Sequence, residues 1–551
     1  MQILTVLAEN RIDLVADVCT VLGEAHVNIE SASFEAVDGH VIMRIGVKDE
    51  QIARAREVLL QMGFNVTPPE GIVIELPNKP NQLASVAKLF AENGISIKST
   101  SQLVVTPGFA TVLFVVDNQE KAQELIAKHF APGKQEKILL AHIADRVWNA
   151  NYAIRDQQIT LKVAELKKQG RNLIELNIGD PGAYNGLYGF QMPPHFKKEL
   201  VEVINEGGAF DGYADEQGEP YLREVIAKDS KERGILDASQ EKVVVGNGLS
   251  ELIDYLMGVI VGPGRNVILS KPDYPLYTAR VNWYGGQARY YSLDPKNNWE
   301  PVIEEIERQI DENTAAIVVI SPHNPTGTCI STESLRAIID VVEKKASKDT
   351  LIISDEIYHR LRFDGKAHTP MASLSSTVPI VTLDGISKGF YSPGWRLGHM
   401  LFSNLNDDTV LKALLKVCSF RLSANKAVQT AYSRALNDYA NNTPEYAFSM
   451  KNLKERAGYT VKRLDEIPGI ECIPPEAAFY AFPRLTATGR WKSDKDFILD
   501  LLETEGVRVV NGSGFGMNPQ EMFFRVVTLP SIEVQEEAYT RLQRFLKPHV
   551  R

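Results

Sequence analysis

The sequence predicts an α/β protein in which two small βαββαβ modules precede a larger, mostly parallel sheet that helices cover. Two observations predict this fold class. One is an internal repeat within residues 1–130, and the other is an alternation of short apolar strands with amphipathic helices from Tyr152 to the carboxyl terminus. The length of 551 residues is sufficient for about three or four folding units of ~100–200 residues each.

The internal repeat aligns without gaps when Asn10 is placed on Asn78. In each copy a short apolar strand (Ile3–Leu7 and Ile72–Leu76) is followed by a helix with apolar residues at helical spacing. Two apolar strands and a second helix come next, which predicts a βαββαβ order for each copy, with the last strand of the second copy left open. The residues identical in the two copies are Asn10 and Asn78, Ala16 and Ala84, Val18 and Val86, Glu24 and Glu92, Ile29 and Ile97, Ser31 and Ser99, and Ser33 and Ser101.

This repeat resembles a tandem pair of ACT domains, which are ferredoxin-like modules that bind amino acids between paired copies. The resemblance implies domains at 1–68 and 69–130, and an amino-acid effector that regulates the attached enzyme. Family members usually carry Pro-Gly in the first turn, where glycine lets an effector approach the backbone. Here Ile12-Asp13 and Pro80-Asn81 occupy those positions. The alternative function of the two domains is oligomerisation alone, without binding of an effector. We expect residues 131–150 to form a linker helix.

Composition excludes several classes of function. Lys and Arg number 60 against 70 Asp and Glu, so the chain has no excess of cations to neutralise a nucleic-acid backbone. The four cysteines are far apart, which favours a reducing compartment and gives no metal site. No run approaches the ~20 apolar residues of a membrane span, and the first ten residues lack the basic start of a secretion signal. We therefore expect a cytoplasmic protein that contacts neither membranes nor nucleic acid.

The second part of the chain has polar loops after its predicted strands. Because the carboxyl ends of parallel strands meet at one edge of a sheet, we expect ligands to bind there. Each strand is followed by a loop rich in Gly, Pro or Asn. The strands are Lys242–Val245, Asn266–Leu269, Ala316–Ile320, Leu351–Ser354 and Ile380–Leu383.

Four short motifs follow these strands in a fixed order. They are Ser321-Pro-His-Asn-Pro-Thr-Gly327, Asp355-Glu-Ile-Tyr358, Ser387-Lys388, and Gly394-Trp-Arg-Leu-Gly398. Each motif alone has an ordinary structural explanation as a turn, a helix start or a solvated lysine. Together their order resembles the class I/II aminotransferases, which have the fold of aspartate aminotransferase and carry pyridoxal 5′-phosphate.

The resemblance implies roles for six of these residues. Lys388 matches the lysine that forms the Schiff base with the cofactor and then moves the Cα proton. Asp355 matches the carboxylate that pairs with the pyridinium nitrogen. Tyr358 and Asn324 match the hydrogen-bond partners of the ring O3′. Ser387 and Arg396 match phosphate ligands.

Further matches complete the implied cofactor site. In the turn Gly246–Glu251, the amides of Leu249 and Ser250 lie at a predicted helix N-terminus, where phosphate binds readily. A dinucleotide site is excluded because it requires glycine where Glu251 stands. Tyr274 matches the aromatic residue that stacks on the cofactor ring. Tyr213 matches a tyrosine that reaches the phosphate of the neighbouring subunit, which implies a homodimer with shared active sites.

The resemblance also implies a binding site for the substrate α-carboxylate. Arg525 is the matching cation, and a bidentate guanidinium suits a carboxylate geometrically. Gly179 and Asn324 match residues that line the same site. The family fold implies a seven-stranded-type sheet in a large domain at about 191–439, and a small domain at about 151–190 and 440–551. No metal is implied.

Within the family, the resemblance is to the bacterial alanine (glutamate–pyruvate) aminotransferase group. It depends on Leu176–Gly179, Gly246–Leu252, Pro272–Leu276 and Val526–Pro530. This group implies L-alanine as amino donor and 2-oxoglutarate as acceptor. A site that accepts both a methyl group and a second carboxylate requires a movable cation, for which we consider Arg155 or Arg421.

Other functions remain open from sequence alone. An aspartate, aromatic or branched-chain aminotransferase would use the same motifs, and so would a pyridoxal phosphate-dependent carbon–sulfur lyase. The alternative that is not an enzyme is an amino-acid sensor, in which the fold binds its ligand without catalysing a reaction.

Overall fold

The computed structural model divides into two units, residues 1–149 and residues 150–551. The structure describes residues 2–9, 13–37, 40–48, 51–62, 64–67, 72–77, 82–106, 109–129, 146, 154, 156–184, 190–438, 443–486 and 489–549.

The amino-terminal unit contains two sheets of antiparallel strands. The first sheet has the order β2-β3-β1-β4 and the second has the order β5-β7-β6. The elements are β1 (Gln2–Glu9), α1 (Leu14–Glu24), β2 (Ser31–Val37), β3 (His40–Val47), α2 (Ile52–Gln61), β4 (Asn65–Thr67), β5 (Ile72–Pro77), α3 (Gln82–Glu92), β6 (Ile97–Thr106), β7 (Phe109–Val116) and α4 (Gln119–His129).

The predicted βαββαβ order is confirmed for the first copy, and βαββα is described for the second. The predicted linker helix lies outside the described residues, apart from residue 146. The sequence predicts the second strand of the first copy at Val27–Phe34. The strand begins only at Ser31, because the amide of Val27 still bonds to the carbonyl of Leu22 as part of the turn after α1.

The helices of this unit bury an apolar stripe against each sheet. Leu14, Val18 and Leu22 of α1 are buried at four-residue spacing, so they face the same side of the helix. In the second copy, Phe90 of α3 contacts Phe114 of β7 edge-on, with ring centroids 5.6 Å apart. Strands β2 and β6, one from each copy, lie next to each other.

The second unit alternates strands and helices. Its strands are β8 (Ile174–Glu175), β9 (Val243–Gly246), β10 (Asn266–Lys271), β11 (Gln287–Asp294), β12 (Glu300–Pro301), β13 (Thr314–Ile320), β14 (Leu351–Asp355), β15 (Ile380–Gly385), β16 (Gly398–Ser403), β17 (Ile470–Glu471), β18 (Tyr480–Ala481), β19 (Arg484–Leu485), β20 (Val507–Arg508), β21 (Val510–Asn511) and β22 (Phe524–Val527).

Its helices follow most of these strands. They are α5 (Gln157–Lys168), α6 (Pro194–Glu206), α7 (Pro220–Glu232), α8 (Leu249–Ile260), α9 (Leu276–Trp283), α10 (Ile303–Gln309), α11 (Thr332–Lys345), α12 (Ile386–Gly389), α13 (Thr409–Phe420), α14 (Lys426–Asp438), α15 (Pro444–Asp465), α16 (Asp494–Glu505) and α17 (Ile532–Leu546). None of the described helices is long and apolar enough to cross a membrane.

The large sheet has the order β12-β11-β10-β13-β14-β15-β16-β9. Strands β11, β10, β13, β14 and β15 are parallel, and β12, β16 and β9 are antiparallel to their neighbours. The predicted mostly parallel sheet is therefore confirmed. It has eight strands because β12, two residues long, adds to one edge.

The central strand β13 is buried along its whole length. Ile317 and Val319 belong to the apolar core on one face of the sheet, and Ala316 and Val318 belong to the core on the other face. Successive side chains of a strand point to opposite faces, so a strand that contributes apolar residues to both cores has both of its faces covered. This burial leaves the carboxyl ends of the strands as the place for polar side chains.

A third core joins segments from both ends of the unit. Ile159 and Val163 of α5 pack in the same apolar cluster as Leu501 of α16 and Leu542 of α17. The short strands β8 and β20 pair within this part. This shared core agrees with a small domain built from two distant segments, although the domain boundaries themselves stay a prediction.

Candidate active site

A cavity of about 560 Å³ opens at the carboxyl ends of β13, β14 and β15. All the site residues predicted from sequence line it, with the exception of Tyr213. They are Gly179, Leu249, Ser250, Tyr274, Asn324, Asp355, Tyr358, Ser387, Lys388, Arg396 and Arg525. Residues separated by more than 300 positions in the chain thus meet in one place.

Lys388 lies in α12, directly after the end of β15. Its Nζ donates a hydrogen bond of 2.7 Å to the carbonyl of Gly179. A Cβ atom at position 179 would overlap the hydroxyl of Tyr480, so glycine lets the backbone lie close to the Tyr480 ring. Loss of water around the ammonium lowers the pKa of Lys388 to about 8, and the charge of Arg525 acts in the same direction.

Asp355 ends β14 and is buried. Its Oδ2 accepts a hydrogen bond of 2.8 Å from the hydroxyl of Tyr277, which is fully buried in α9. Burial raises the pKa of Asp355 to about 6. No described residue forms an ion pair with this carboxyl group. A buried carboxylate without a cation is costly, so the site is suited to a cationic ligand group at this position.

Arg525 lies on β22 and lines the cavity. Its Nη1 donates to Oδ1 of Asn324 and its Nη2 donates to the carbonyl of Asn177, both at 2.9 Å. The guanidinium lies over the ring of Tyr480, 4.5 Å from the centroid. The side chain is 6% exposed, and none of its partners among the described residues is a carboxylate. The remaining Nε lacks a hydrogen-bond partner in the described part of the chain.

Tyr358 also lines the cavity, and its hydroxyl lies near that of Tyr480. The two hydroxyl oxygens are 3.0 Å apart, and both rings are buried. Burial raises the pKa of Tyr358 well above its ordinary value, so the phenol keeps its proton and can donate a hydrogen bond at neutral pH.

A second positive region lies where α8 begins. The helix starts at Leu249 after a turn in which Gly248 has a φ of 83°. Arg396 packs against this turn, and its Nη1 donates to the carbonyl of Pro393 at 2.8 Å. A Cβ at position 248 would overlap the Arg396 guanidinium. The free amides of the helix start, the hydroxyl of Ser387 and a guanidinium together form a donor set suited to a phosphate group.

A buried pair of side chains supports the end of β15, which precedes Lys388. The Nε2 of His359 lies 2.8 Å from Oδ2 of Asp384, and the other carboxylate oxygen accepts from the amide of Gly385 at 2.7 Å. Burial lowers the pKa of His359 to about 4, so its ring is neutral at pH 7. These bonds fix the end of β15, four residues before the lysine.

Three residues of the cavity region were not found from sequence. Tyr277 lies in α9, whereas Tyr274 precedes this helix, so no helical spacing relates the two tyrosines. Tyr480 follows three apolar residues, so its position carries no polar signal. Arg508 lines the cavity from β20, which is too short to show a periodic pattern.

Two predictions made for residues outside the motifs have different outcomes. Tyr213 lies outside the cavity and is 78% exposed, so its predicted contact with a neighbouring subunit stays a prediction. Arg421 is not the movable cation, because its Nε pairs with Glu251 at 2.9 Å and its Nη2 donates to the carbonyl of Val245 at 2.6 Å. Arg155 lies outside the described residues.

Comparison with known proteins identifies both parts of the chain. The family model of class I and II aminotransferases matches residues 171–542, and the model of the ACT domain pair matches residues 1–139. Glutamate–pyruvate aminotransferase of Haemophilus influenzae is 34% identical over 74% of this chain and 98% of its own length. Aspartate aminotransferase of Bacillus subtilis is 31% identical over 71% of this chain and 95% of its own length.

A solved structure is similar to the second unit. Alanine aminotransferase of Pyrococcus furiosus is 36% identical and has a TM-score of 0.69, with 74% of this chain and all of the other chain covered. Members of the matched family are pyridoxal phosphate-dependent. The chain therefore belongs to the class I and II aminotransferase family, as a pyridoxal phosphate-dependent aminotransferase with an ACT domain pair at its amino terminus.

Proposed function

We propose that this aminotransferase transfers the amino group of L-alanine to 2-oxoglutarate, with pyruvate and L-glutamate as products. The similarity to alanine and glutamate–pyruvate aminotransferases supports this substrate pair. The observation that carries the proposal is the buried guanidinium of Arg525, which has no carboxylate partner among the described residues and lines the same cavity as Lys388. Ile178 and Val509 also line the cavity and give it apolar surface suited to a methyl side chain.

The cavity residues fit pyridoxal phosphate. Arg396, Ser387 and the amides of Leu249 and Ser250 would hold the phosphate, and Asp355 would pair with the ring nitrogen. Tyr358 and Asn324 would contact the ring oxygen, and Tyr274 would stack on the ring. When bound, the cofactor supplies an aldehyde carbon that bonds to amino groups and a ring that accepts the electrons of a broken Cα–H bond.

The protein's own groups then bind the substrate and move a proton. Arg525 fixes the α-carboxylate through a charge-assisted pair of hydrogen bonds, which orients the Cα toward the lysine. With a pKa of about 8, roughly half of the Lys388 amines are uncharged near that pH. An uncharged amine can take the Cα proton and return it at a different carbon, so Lys388 acts as general base and then as general acid.

A comparison of amino donors tests the substrate assignment. We expect ¹⁵N from labelled L-alanine to appear in glutamate, with a higher kcat/KM than for L-aspartate, L-tyrosine or L-leucine. If kcat/KM is higher for L-aspartate than for L-alanine, the amino donor is aspartate. The substrate would then agree with the similarity to aspartate aminotransferase. Formation of pyruvate, ammonia and sulfide from L-cysteine, with no amino transfer from L-alanine, would indicate an eliminating enzyme such as a carbon–sulfur lyase.

A homodimer with shared active sites is part of the proposal. Tyr213, Phe420 and Leu422 are large apolar side chains with exposures of 78%, 82% and 48%. They belong to adjacent segments, because the amide of Ala214 donates to Oγ of Ser423 at 3.2 Å. An exposed apolar patch of this kind favours a protein interface. The patch supports the predicted contact of Tyr213 with a second subunit.

We also propose that an amino acid bound at the ACT domain pair regulates transfer. With the full-length chain, we expect one proteinogenic amino acid that is not a substrate to change kcat/KM by about 5-fold or more, the usual range of allosteric coupling. A chain lacking residues 1–139 is expected to keep basal activity and lose this response. If the truncated enzyme responds equally, the effector acts at the catalytic unit and the regulatory proposal is wrong.

A further inference from the structure

Arg508 brings a second guanidinium into the cavity. It lies on β20, which pairs in parallel with β8. Val507 and Val509, on either side of it, are buried in the third apolar core, which also contains Ile159 and Leu501. Because successive side chains of an extended chain alternate, Arg508 points away from that core, and it is one of the residues that line the cavity.

The charge of Arg508 is not neutralised within the described part of the chain. Its register partner Glu175 accepts a bond of 2.6 Å from Lys167. Asp156, an acidic residue of the cavity wall, pairs with Lys495 at 2.7 Å. Arg508 itself has no hydrogen bond or ion pair with any described side chain. A half-buried guanidinium without a counter-ion, in the wall of a substrate cavity, is suited to an anionic group from the substrate.

Arg508 and Arg525 lie on opposite sides of one short segment. The carbonyl of Arg508 accepts from the amide of Leu176 at 2.9 Å, and Arg525 donates to the carbonyl of the next residue, Asn177. Both residues line the same cavity, from the strands β20 and β22 that flank this segment. A substrate with two carboxylates can be held at both ends, whereas a substrate with one carboxylate uses Arg525 alone.

We propose that Arg508 binds the distal carboxylate of dicarboxylic substrates, here L-glutamate and 2-oxoglutarate. This assignment rests on the proposed function, since it takes Arg525 as the residue for the α-carboxylate. Alanine and pyruvate have no second carboxylate, and they leave the partly exposed Arg508 hydrated. The cavity thus accepts both classes of substrate without a change in its α-carboxylate site.

Kinetics of the holoenzyme with mono- and dicarboxylic substrates test this role. For Arg508→Gln we expect the KM of L-glutamate and of 2-oxoglutarate to rise roughly 10- to 100-fold, as for loss of a hydrogen bond to a charged group. The KM of L-alanine and of pyruvate should not change. Arg508→Lys should restore part of the loss. Competitive inhibition by glutarate should weaken in parallel, which gives a binding measurement independent of turnover.

Two further variants serve as references. Arg525→Gln should raise the KM of all four substrates, because each has an α-carboxylate. Arg336→Gln removes one positive charge from an exposed position of α11 and should change none of them.

Equal effects of Arg508→Gln on all four substrates, or no effect on any, would overturn the assignment while leaving the proposed function intact. If the wild-type enzyme uses neither alanine nor glutamate, the proposed function fails. Comparison of L-aspartate with L-leucine would then test whether Arg508 selects dicarboxylic substrates at all, and equal losses for both would exclude that role.

Discussion

Lys388→Ala is expected to lower kcat by at least about 10⁴-fold, because it removes both the covalent attachment of the cofactor and the group that moves the Cα proton. The Nζ of Lys388 lines the cavity, and its pKa of about 8 keeps part of the amine uncharged. Borohydride reduction followed by peptide mass spectrometry should find the cofactor on Lys388 in the wild type and on no lysine in the variant.

The matched control is Lys344→Ala, which removes an exposed lysine from the last turn of α11. This variant should keep both the adduct and full turnover. A cofactor adduct on a different lysine, or substantial transfer by Lys388→Ala, would show that another amine carries the reaction.

Asp355→Asn is expected to reduce kcat by about 10²- to 10³-fold, the usual loss when one fixed electrostatic partner is removed from an active site. The amide keeps an oxygen for the hydroxyl of Tyr277 but carries no charge for the ring nitrogen. Asp355→Glu keeps the charge and should lose less activity. A kcat for Asp355→Asn equal to the wild-type value would exclude the ring-nitrogen role.

Thermal unfolding of the cofactor-free protein separates this electrostatic role from a structural one. Burial raises the pKa of Asp355 from 3.8 to about 6, so the folded state loses stability as the pH rises through this interval. Asp355→Asn removes that cost, and we expect an equal or higher Tm for the variant at pH 7.5. A markedly lower Tm would mean that the carboxylate mainly stabilises the fold.

The sequence predicted the residues that follow long strands better than those on short ones. Asp355 is the last residue of β14, and Lys388 follows the end of β15 by three residues. The apolar runs of both strands identify them as buried, and the topology of a parallel sheet then brings their carboxyl ends together. Arg508 and Tyr480 lie on strands of two residues, β20 and β18. Such strands show no period, and their positions depend on pairing with segments far away in the chain.

Edge features were the least predictable parts of the fold. The strand β12 pairs over two residues only, and it is the reason that the large sheet has eight strands and not seven. The role considered for Arg421 was wrong for a similar reason, because its partners Glu251 and Val245 come from α8 and β9, more than 150 positions earlier. Sequence spacing carries no information about such distant contacts.

A single-turnover reaction with L-alanine alone separates amino transfer from the competing reactions. With no oxo acid present, the amino group must stay on the enzyme, so we expect one pyruvate per subunit and no free ammonia. Addition of 2-oxoglutarate should then release one glutamate per subunit and restore the starting absorption spectrum. No pyruvate from L-alanine, or no glutamate after 2-oxoglutarate is added, would contradict an alanine aminotransferase.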